Sequence, residues 1–263
     1  MHSLTLVVCS CDAYQDVWRP LFTLFERYWP DIRKQPIILC TETLSYQQSG
    51  FAITCPQLFK GHPNPRSLPW SKILKDTLKY SVTTDLVLIY LDDFLLQGPV
   101  NNERLEICLR YMEENKNIAN IVLYDCPPPY EPSKEYPWLC KRSKKAPYLF
   151  TLQAGLWRRE RLIHFLRDHE SPWHFERWGS IRGRRYKDEF FAVTKINGRQ
   201  AIFDYEHAII GGRWKPFVVE FFSKEGISCD FSKRGFFMPG AHTTQYRRNW
   251  FKSAWNIFRS LKP

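Results

Sequence analysis

Asp85-Leu-Val-Leu-Ile-Tyr-Leu-Asp92-Asp93-Phe94 is the stretch on which the fold turns. Leu86–Leu91 is the longest uninterrupted apolar run in the chain, and it stops abruptly on two carboxylates. An apolar run of this length without alternation suits a strand covered on both faces, so the stretch predicts a central strand in a helix-flanked sheet.

Upstream, Leu4–Cys9 predicts a buried strand that opens into the polar Ser10-Cys11-Asp12-Ala13-Tyr14. From Asp16, Trp18, Leu21, Phe22, Phe25 and Trp29 recur at three- and four-residue steps, which predicts a helix. Pro20 lies close enough to its start to be tolerated, and Pro30-Asp31 ends it. Pro36–Cys40 and Phe51–Cys55 predict two further strands, and Pro69–Ser81 predicts an amphipathic helix with Trp70, Ile73, Leu74, Thr77 and Leu78 on one face. Downstream, a helix over Asn102–Asn115 and a strand over Ile118–Tyr124 continue the alternation. Such alternation predicts the α/β class: a mixed, largely parallel Rossmann-type sheet flanked by helices.

The alternation then breaks. Asp125–Pro147 holds six prolines and the cluster Lys141, Arg142, Lys144, Lys145, which reads as a long surface loop. Tyr148–Gln153 predicts a strand, Arg158–His169 a helix, and Ser171-Pro172 a helix start. Gln200–Ile210 suggests a strand pair, Phe217–Lys224 a short helix or strand, and Thr244–Leu261 a terminal helix with Trp250, Phe251, Trp255 and Phe258. Residues 1–240 are expected to form one catalytic-size domain and 241–263 a basic aromatic helix.

The chain has 263 residues, 44% hydrophobic and 25% charged, a globular composition with ample material for a core. No run approaches the roughly 20 residues of a spanning helix, and the N-terminus lacks a signal-peptide pattern, which implies a cytoplasmic protein. Eight cysteines without a CxxC or a Cys/His spacing read as reduced, mostly buried thiols. Aromatic residues make up 16%, which suits planar ligands or a large aromatic core. A formal charge of +11 admits a nucleic-acid-binding protein as an alternative, but no nucleic-acid-binding motif accompanies it, so no nucleic acid partner is expected. A nucleotidyltransferase is a third class, yet only Gly50 and Gly61 occur in the first ninety residues, too few for a Gly-rich phosphate loop.

Ligands of open α/β sheets bind beyond the carboxyl ends of the strands, where Leu86–Leu91 delivers Asp92 and Asp93. Adjacent carboxylates there could hold a divalent cation, with a diphosphate completing its shell, or could form a solvated turn.

Leu91-Asp92-Asp93-Phe94, Gln153-Ala154-Gly155-Leu156-Trp157 and Ser171-Pro172-Trp173-His174-Phe175-Glu176, together with Ser10–Tyr14 and Trp70–Leu74, give the chain its resemblance. Over roughly residues 4–215 it resembles bacterial GT-A type glycosyltransferases that build capsule, O-antigen and other surface polysaccharides. The resemblance implies a nucleotide-sugar donor, with UDP as the default nucleotide, and Mn²⁺ or Mg²⁺ bridging its phosphates. It maps the metal to Asp92 and Asp93, although the usual Asp-X-Asp is here Asp-Asp-Phe, and His207 or His242 is a weaker candidate for completing the site. It gives Ser10, Asp12 and Tyr14 to the base and ribose, and Gln153 and Trp157 to the border of the sugar pocket, with the core as the alternative for Trp157. Lys72, Arg213 and Lys215 are candidates for steadying the diphosphate, with solvated surface charge as the alternative.

Glu176 is the candidate general base of an inverting transfer, with Asp188-Glu189 as the rival pair. Flanking Trp173, Phe175 and Trp178 would desolvate its carboxylate and raise its pKa, whereas a helix N-terminus would lower it. A retaining transfer is the mechanistic alternative. The tail beyond Ala241 carries Arg247, Arg248, Lys252, Arg259 and Lys262 without an acid. Such a segment suits either the inner face of an anionic plasma membrane and a lipid-linked saccharide acceptor, or packing on the domain.

Overall fold

In the computed structural model, which describes residues 4–238 and 259–260, the apolar run is the strand β4 (Leu86–Leu91) in the middle of a nine-stranded sheet. On one side β4 pairs in parallel with β1 (Leu4–Cys9), β1 with β2 (Ile37–Leu39), and β2 with β3 (Ile53–Thr54). β5 (Phe94–Leu96) follows the acidic pair and lies outside this sheet. Beyond β4 come β6 (Ile118–Val122), β7 (Tyr130–Pro132), β8 (Leu139–Arg142), β9 (Gly155–Arg158) and β10 (Glu189–Val193) in chain order. In space β9 is inserted antiparallel between β4 and β6, β10 runs parallel to β6, and β8 and β7 close the far edge. The sheet is thus mixed and largely parallel, as the alternation of elements implies.

Strand side chains alternate between faces, and both faces here are apolar. Leu4, Leu6 and Val8 of β1 and Leu88 and Tyr90 of β4 pack with Val17, Leu21, Phe22 and Phe25 of α1 (Gln15–Tyr28). The same layer includes Leu105, Leu109 and Met112 of α3 (Asn102–Glu114), which follows α2 (Trp70–Tyr80) in the chain. Val7 and Ile89 face the other way, toward Ile73, Leu74 and Leu78 of α2 and Leu162 and Phe165 of α4 (Arg159–Phe165). Covering both faces leaves the carboxyl ends of β1, β2 and β4 as the open edge.

The segment that flanks this edge is α5 (Pro172–His174), a wide π-helical turn at Phe175–Gly179, and α6 (Ser180–Gly183). Ser171 caps it by accepting from the His174 amide, as Ser171-Pro172 implies. Gly179 and Gly183 lie against the buried ring of Phe150, where an added Cβ would come within 2.7 and 2.6 Å of ring carbons. Phe165, Phe175 and Phe190 surround that ring and leave it no room to move. Gly183→Ala should therefore destabilise the protein by about 1–3 kcal/mol, measured by denaturant unfolding, although alanine is the better helix former. The start of the segment is anchored by a fully buried ion pair: Arg182 donates to both carboxylate oxygens of Glu170 at 2.6 and 2.7 Å. Glu170→Ala would strand that guanidinium and should cost about 3–5 kcal/mol in the same measurement.

Several sequence expectations are corrected. Tyr148–Gln153 is not a strand. The buried Arg142 guanidinium binds the carbonyls of Pro147, Tyr148 and Leu149, and the amides of Phe150 and Leu152 go to the Ser180 hydroxyl and the Glu176 carboxylate. The backbone groups a ladder would use are thereby taken. The proline-rich stretch is not all loop: it holds the β7–β8 hairpin, with Pro132 on the sheet edge, where a missing N–H costs no ladder bond. β10 (Glu189–Val193) contains the short apolar run Phe190–Val193, past Gly183, which is not assigned to an element from sequence. The strand pair expected over Gln200–Ile210 becomes β11 (Tyr205–His207), which pairs antiparallel with β5, and β12 (Ile209–Ile210), which pairs with β13 (Arg213–Trp214). α7 (Phe217–Lys224) is a helix. Most of the expected terminal helix lies outside the described residues; Arg259 and Ser260 are helical, and Ser260 is buried where its carbonyl accepts from Arg182 at 2.6 Å. Among the described residues no helix is long and apolar enough to cross a membrane. All eight cysteines are free thiols.

Candidate active site

The β1–β4 register carries Cys9 alongside Leu91, so the next residues of the two strands, Ser10 and Asp92, meet at the open edge. The Ser10 hydroxyl donates to the Asp92 carboxylate and accepts from the Trp18 indole at 2.7 Å. Burial, reinforced by the charge of Asp93, raises the Asp92 pKa well above the carboxylate range. Asp93 is pushed up to about 6, chiefly by burial, against the opposing pull of the Ile209 amide, Lys215 and Arg234.

A cavity of about 670 Å³ opens here. It brings together Ser10, Tyr14, Asp92, Asp93, Gln153, Glu176 and His207, residues spread over 198 positions of the chain from Ser10 to His207, counting both ends. The pairing of β11 with β5 sets His207 opposite Phe94, and the Ala208 amide binds the Asp93 carbonyl at 2.9 Å. Gln153 is held by the Tyr205 hydroxyl, which donates to its carbonyl at 2.7 Å, while its amide nitrogen stands 3.3 Å from Nε2 of His207. Burial, aided by Lys215, lowers the His207 pKa.

Glu176 sits in the wide turn with its Oε1 accepting from the Leu152 amide at 2.8 Å and the Thr151 hydroxyl at 3.3 Å. Burial outweighs both bonds and raises its pKa. Among the described residues no hydrogen bond occupies Oε2. The arrangement is that of an oriented carboxylate with one oxygen free to take a proton.

The remaining candidates stand elsewhere. Asp12 does not line the cavity: its carboxylate accepts from the amides of Glu42, Thr43 and Leu44 and from the Thr43 hydroxyl. Burial pushes its pKa up, but those bonds win and hold it below the usual range. It thus braces the loop after β2. Lys72 pairs with Asp76 one turn on, at 2.7 Å. Trp157 is a core residue, 5.1 Å from the ring of Phe150. Asp188 and Glu189, the rival base pair, are engaged by Arg161 and Lys141 and lie outside the cavity. Arg213 lines a smaller adjoining cavity with Lys233 and Arg234, and Lys215 pairs with Glu206. His242 lies outside the described residues.

Two residues were not singled out from sequence. Glu42 lines the cavity and accepts from the Asp12 amide at 2.5 Å; Thr41-Glu42-Thr43 follows the β2 run, whose carboxyl end must neighbour that of β1. Arg234 returns from far down the chain to pair with Asp16 and lie 4.1 Å over the Tyr14 ring. No local signal marks it.

The donor set suits Mn²⁺ or Mg²⁺. Asp92 and Asp93 are adjacent oxygen donors that line one cavity, and ions of this kind keep several non-protein ligands. Among the described residues no three His, Cys, Asp or Glu side chains cluster as a ready-made metal site, so His207 shares the cavity without forming one with the acidic pair.

No protein-family model matches the chain, and no curated protein is similar to it in sequence. Among solved structures it is similar to residues 1–349 of S. aureus TarS, with a TM-score of 0.49 and 11% identity over 74% of this chain and 59% of that one. It is also similar to Drosophila β1,4-galactosyltransferase 7 in complex with manganese, UDP-Gal and xylobiose (TM-score 0.38, 11% identity, 80% of this chain and 72% of that). A UDP-glucose pyrophosphorylase complexed with UDP-glucose is a third (TM-score 0.44, 8% identity, 78% and 92%). The chain thus spans less than two thirds of the TarS fragment. Likenesses this distant carry no argument about activity.

Proposed function

We propose that the chain is a glycosyltransferase that moves a sugar from a nucleotide-diphosphate sugar, with UDP as the nucleotide, to a saccharide or lipid-linked saccharide in surface polysaccharide synthesis. The observation that carries this reading is one cavity, at the carboxyl ends of β1 and β4, that joins an acidic pair to an oriented, desolvated Glu176.

Ser10 and Tyr14 border the base and ribose, with Tyr14 kept in place by Arg234 above its ring. Asp92 and Asp93 would hold Mn²⁺ or Mg²⁺, which supplies charge neutralisation for the departing diphosphate. Gln153, fixed by Tyr205, borders the donor sugar. Glu176 takes the proton of the acceptor hydroxyl as its oxygen bonds to the anomeric carbon. The anomeric carbon–oxygen bond breaks, the diphosphate leaves with the electron pair, and the configuration inverts. Leu152 and Thr151 fix the Glu176 rotamer, so the proton acceptor costs no reorganisation at the moment of reaction.

A panel of nucleotide sugars incubated with the protein and Mn²⁺ tests the reading by release of free nucleoside diphosphate. Slow hydrolysis of one UDP-sugar is the expected result. No release from any donor, with or without added saccharides, contradicts it.

A further inference from the structure

A second groove, of about 470 Å³, shares Trp173 and Glu176 with the central cavity. It is lined by Tyr148, from the stretch before Thr151 and Leu152, and by Arg177 and Arg184, from the segment that carries Glu176.

Three observations give the groove a chemistry. Trp173 and Tyr148 are 75% and 60% exposed, whereas most large aromatic side chains here are buried or half-buried. A concave surface that presents aromatic faces offers a platform for the apolar face of a ring-shaped ligand. Tyr148 is held in the left-handed region, with φ of +47°, a conformation that a bulky residue adopts at a cost. The buried Arg142 maintains it by donating to the carbonyls of residues 147, 148 and 149 at 2.9, 2.7 and 3.1 Å, so the exposed ring is presented on a fixed support. Finally, Arg177 and Arg184 have no carboxylate partner among the described residues; Arg177 lies over the Trp178 ring and Arg184 donates to the Ala146 carbonyl. Two guanidinium groups without acidic partners on a groove wall match a carboxylate or a phosphate.

We infer that this groove is the acceptor subsite and that the acceptor is an acidic saccharide. Its carboxylate or phosphate is bound by Arg177 and Arg184 while a sugar ring lies against Trp173 or Tyr148, which brings a hydroxyl to Glu176. The assignment rests on Glu176 being the base, as proposed above.

The test uses the full chain on an array of neutral, uronic-acid-containing and phosphorylated oligosaccharides, with UDP affinity measured in parallel by calorimetry. The wild-type chain should prefer acidic glycans, and the carboxylate and phosphate arms identify which anion is recognised. R177Q/R184Q should weaken that binding about tenfold or more. Trp173→Ala, at a side chain mostly in solvent, should weaken it as well, and R177Q/R184Q, whose residues line this groove and not the central cavity, should leave UDP affinity within about twofold. No glycan bound by the wild type, a preference for neutral glycans, or acidic binding untouched in R177Q/R184Q overturns the assignment. Acidic glycans bound through these arginines by a chain that binds no nucleoside diphosphate would uphold the groove and overturn the transferase reading instead.

Discussion

Asp93→Asn is expected to lower sugar transfer by on the order of 10²–10³-fold or more, with Asp92→Asn close behind and the fold intact in both. The substitution keeps shape and removes charge where the sheet ends, and neither side chain supports the apolar layers. The pH dependence of metal binding gives an independent reading. Asp93 stands at about 6 in the folded protein against an ordinary 3.8, so folding favours its protonated form. The stability this group contributes is complete below the lower value and is lost as pH rises through the upper one. A cation on the pair offsets that loss. Mn²⁺ should therefore raise the melting temperature more at about pH 7.5 than at about pH 5, and Asp93→Asn should erase the difference. An equal shift at both pH values, or full activity in excess EDTA, would remove the metal role.

Glu176→Gln should reduce turnover by about 10²–10⁴-fold while nucleotide-sugar binding survives, because the amide keeps the shape but cannot take a proton. One hydrogen bond frames this test: the Leu152 amide can still donate to the glutamine carbonyl. Loss of binding together with turnover would mark Glu176 as a donor-site or structural residue. Burial raises the Glu176 pKa, and a base works only when ionised. In the wild type the acid limb of turnover should accordingly fall at a pH above the ordinary glutamate range. Asp188→Asn should be milder in turnover, since Asp188 is spent on Arg161 outside the cavity. Retention of the donor's anomeric configuration in the product would overturn the assignment even with an inactive Glu176→Gln.

What could be read from sequence follows from the range of the physics. An unbroken apolar run ending in two acids marks a buried strand and the open end of a parallel sheet, so Asp92 and Asp93 are legible at that edge, whereas the contact of Ser10 with Asp92 comes from the β1–β4 pairing. Ser171-Pro172 marks a helix start, whereas the choice of Glu176 rests on the resemblance of Ser171–Glu176 to a glycosyltransferase motif. Side-chain partnership is less legible. Asp12 looks like a ligand contact because a polar loop after a strand faces the crevice, yet the amides of the loop after β2, 30 positions on, claim its carboxylate. Lys72 has its partner one helical turn away, an i, i+4 spacing visible in the sequence that a functional reading passes over. Arg234 depends on the path of the chain through more than 200 residues, and no local pattern encodes that path. The loss of a strand at Tyr148–Gln153 has a similar origin, because Arg142, Ser180 and Glu176 outbid a ladder for the same backbone groups.

Calorimetric titration of the intact chain with UDP, with and without Mn²⁺, tests the donor site most directly. Saturable binding of one UDP per chain that needs the cation and is lost in Asp93→Asn is the expected result. The absence of binding by any nucleoside diphosphate, with either Mn²⁺ or Mg²⁺ present, would contradict the assignment of this cavity to a nucleotide sugar.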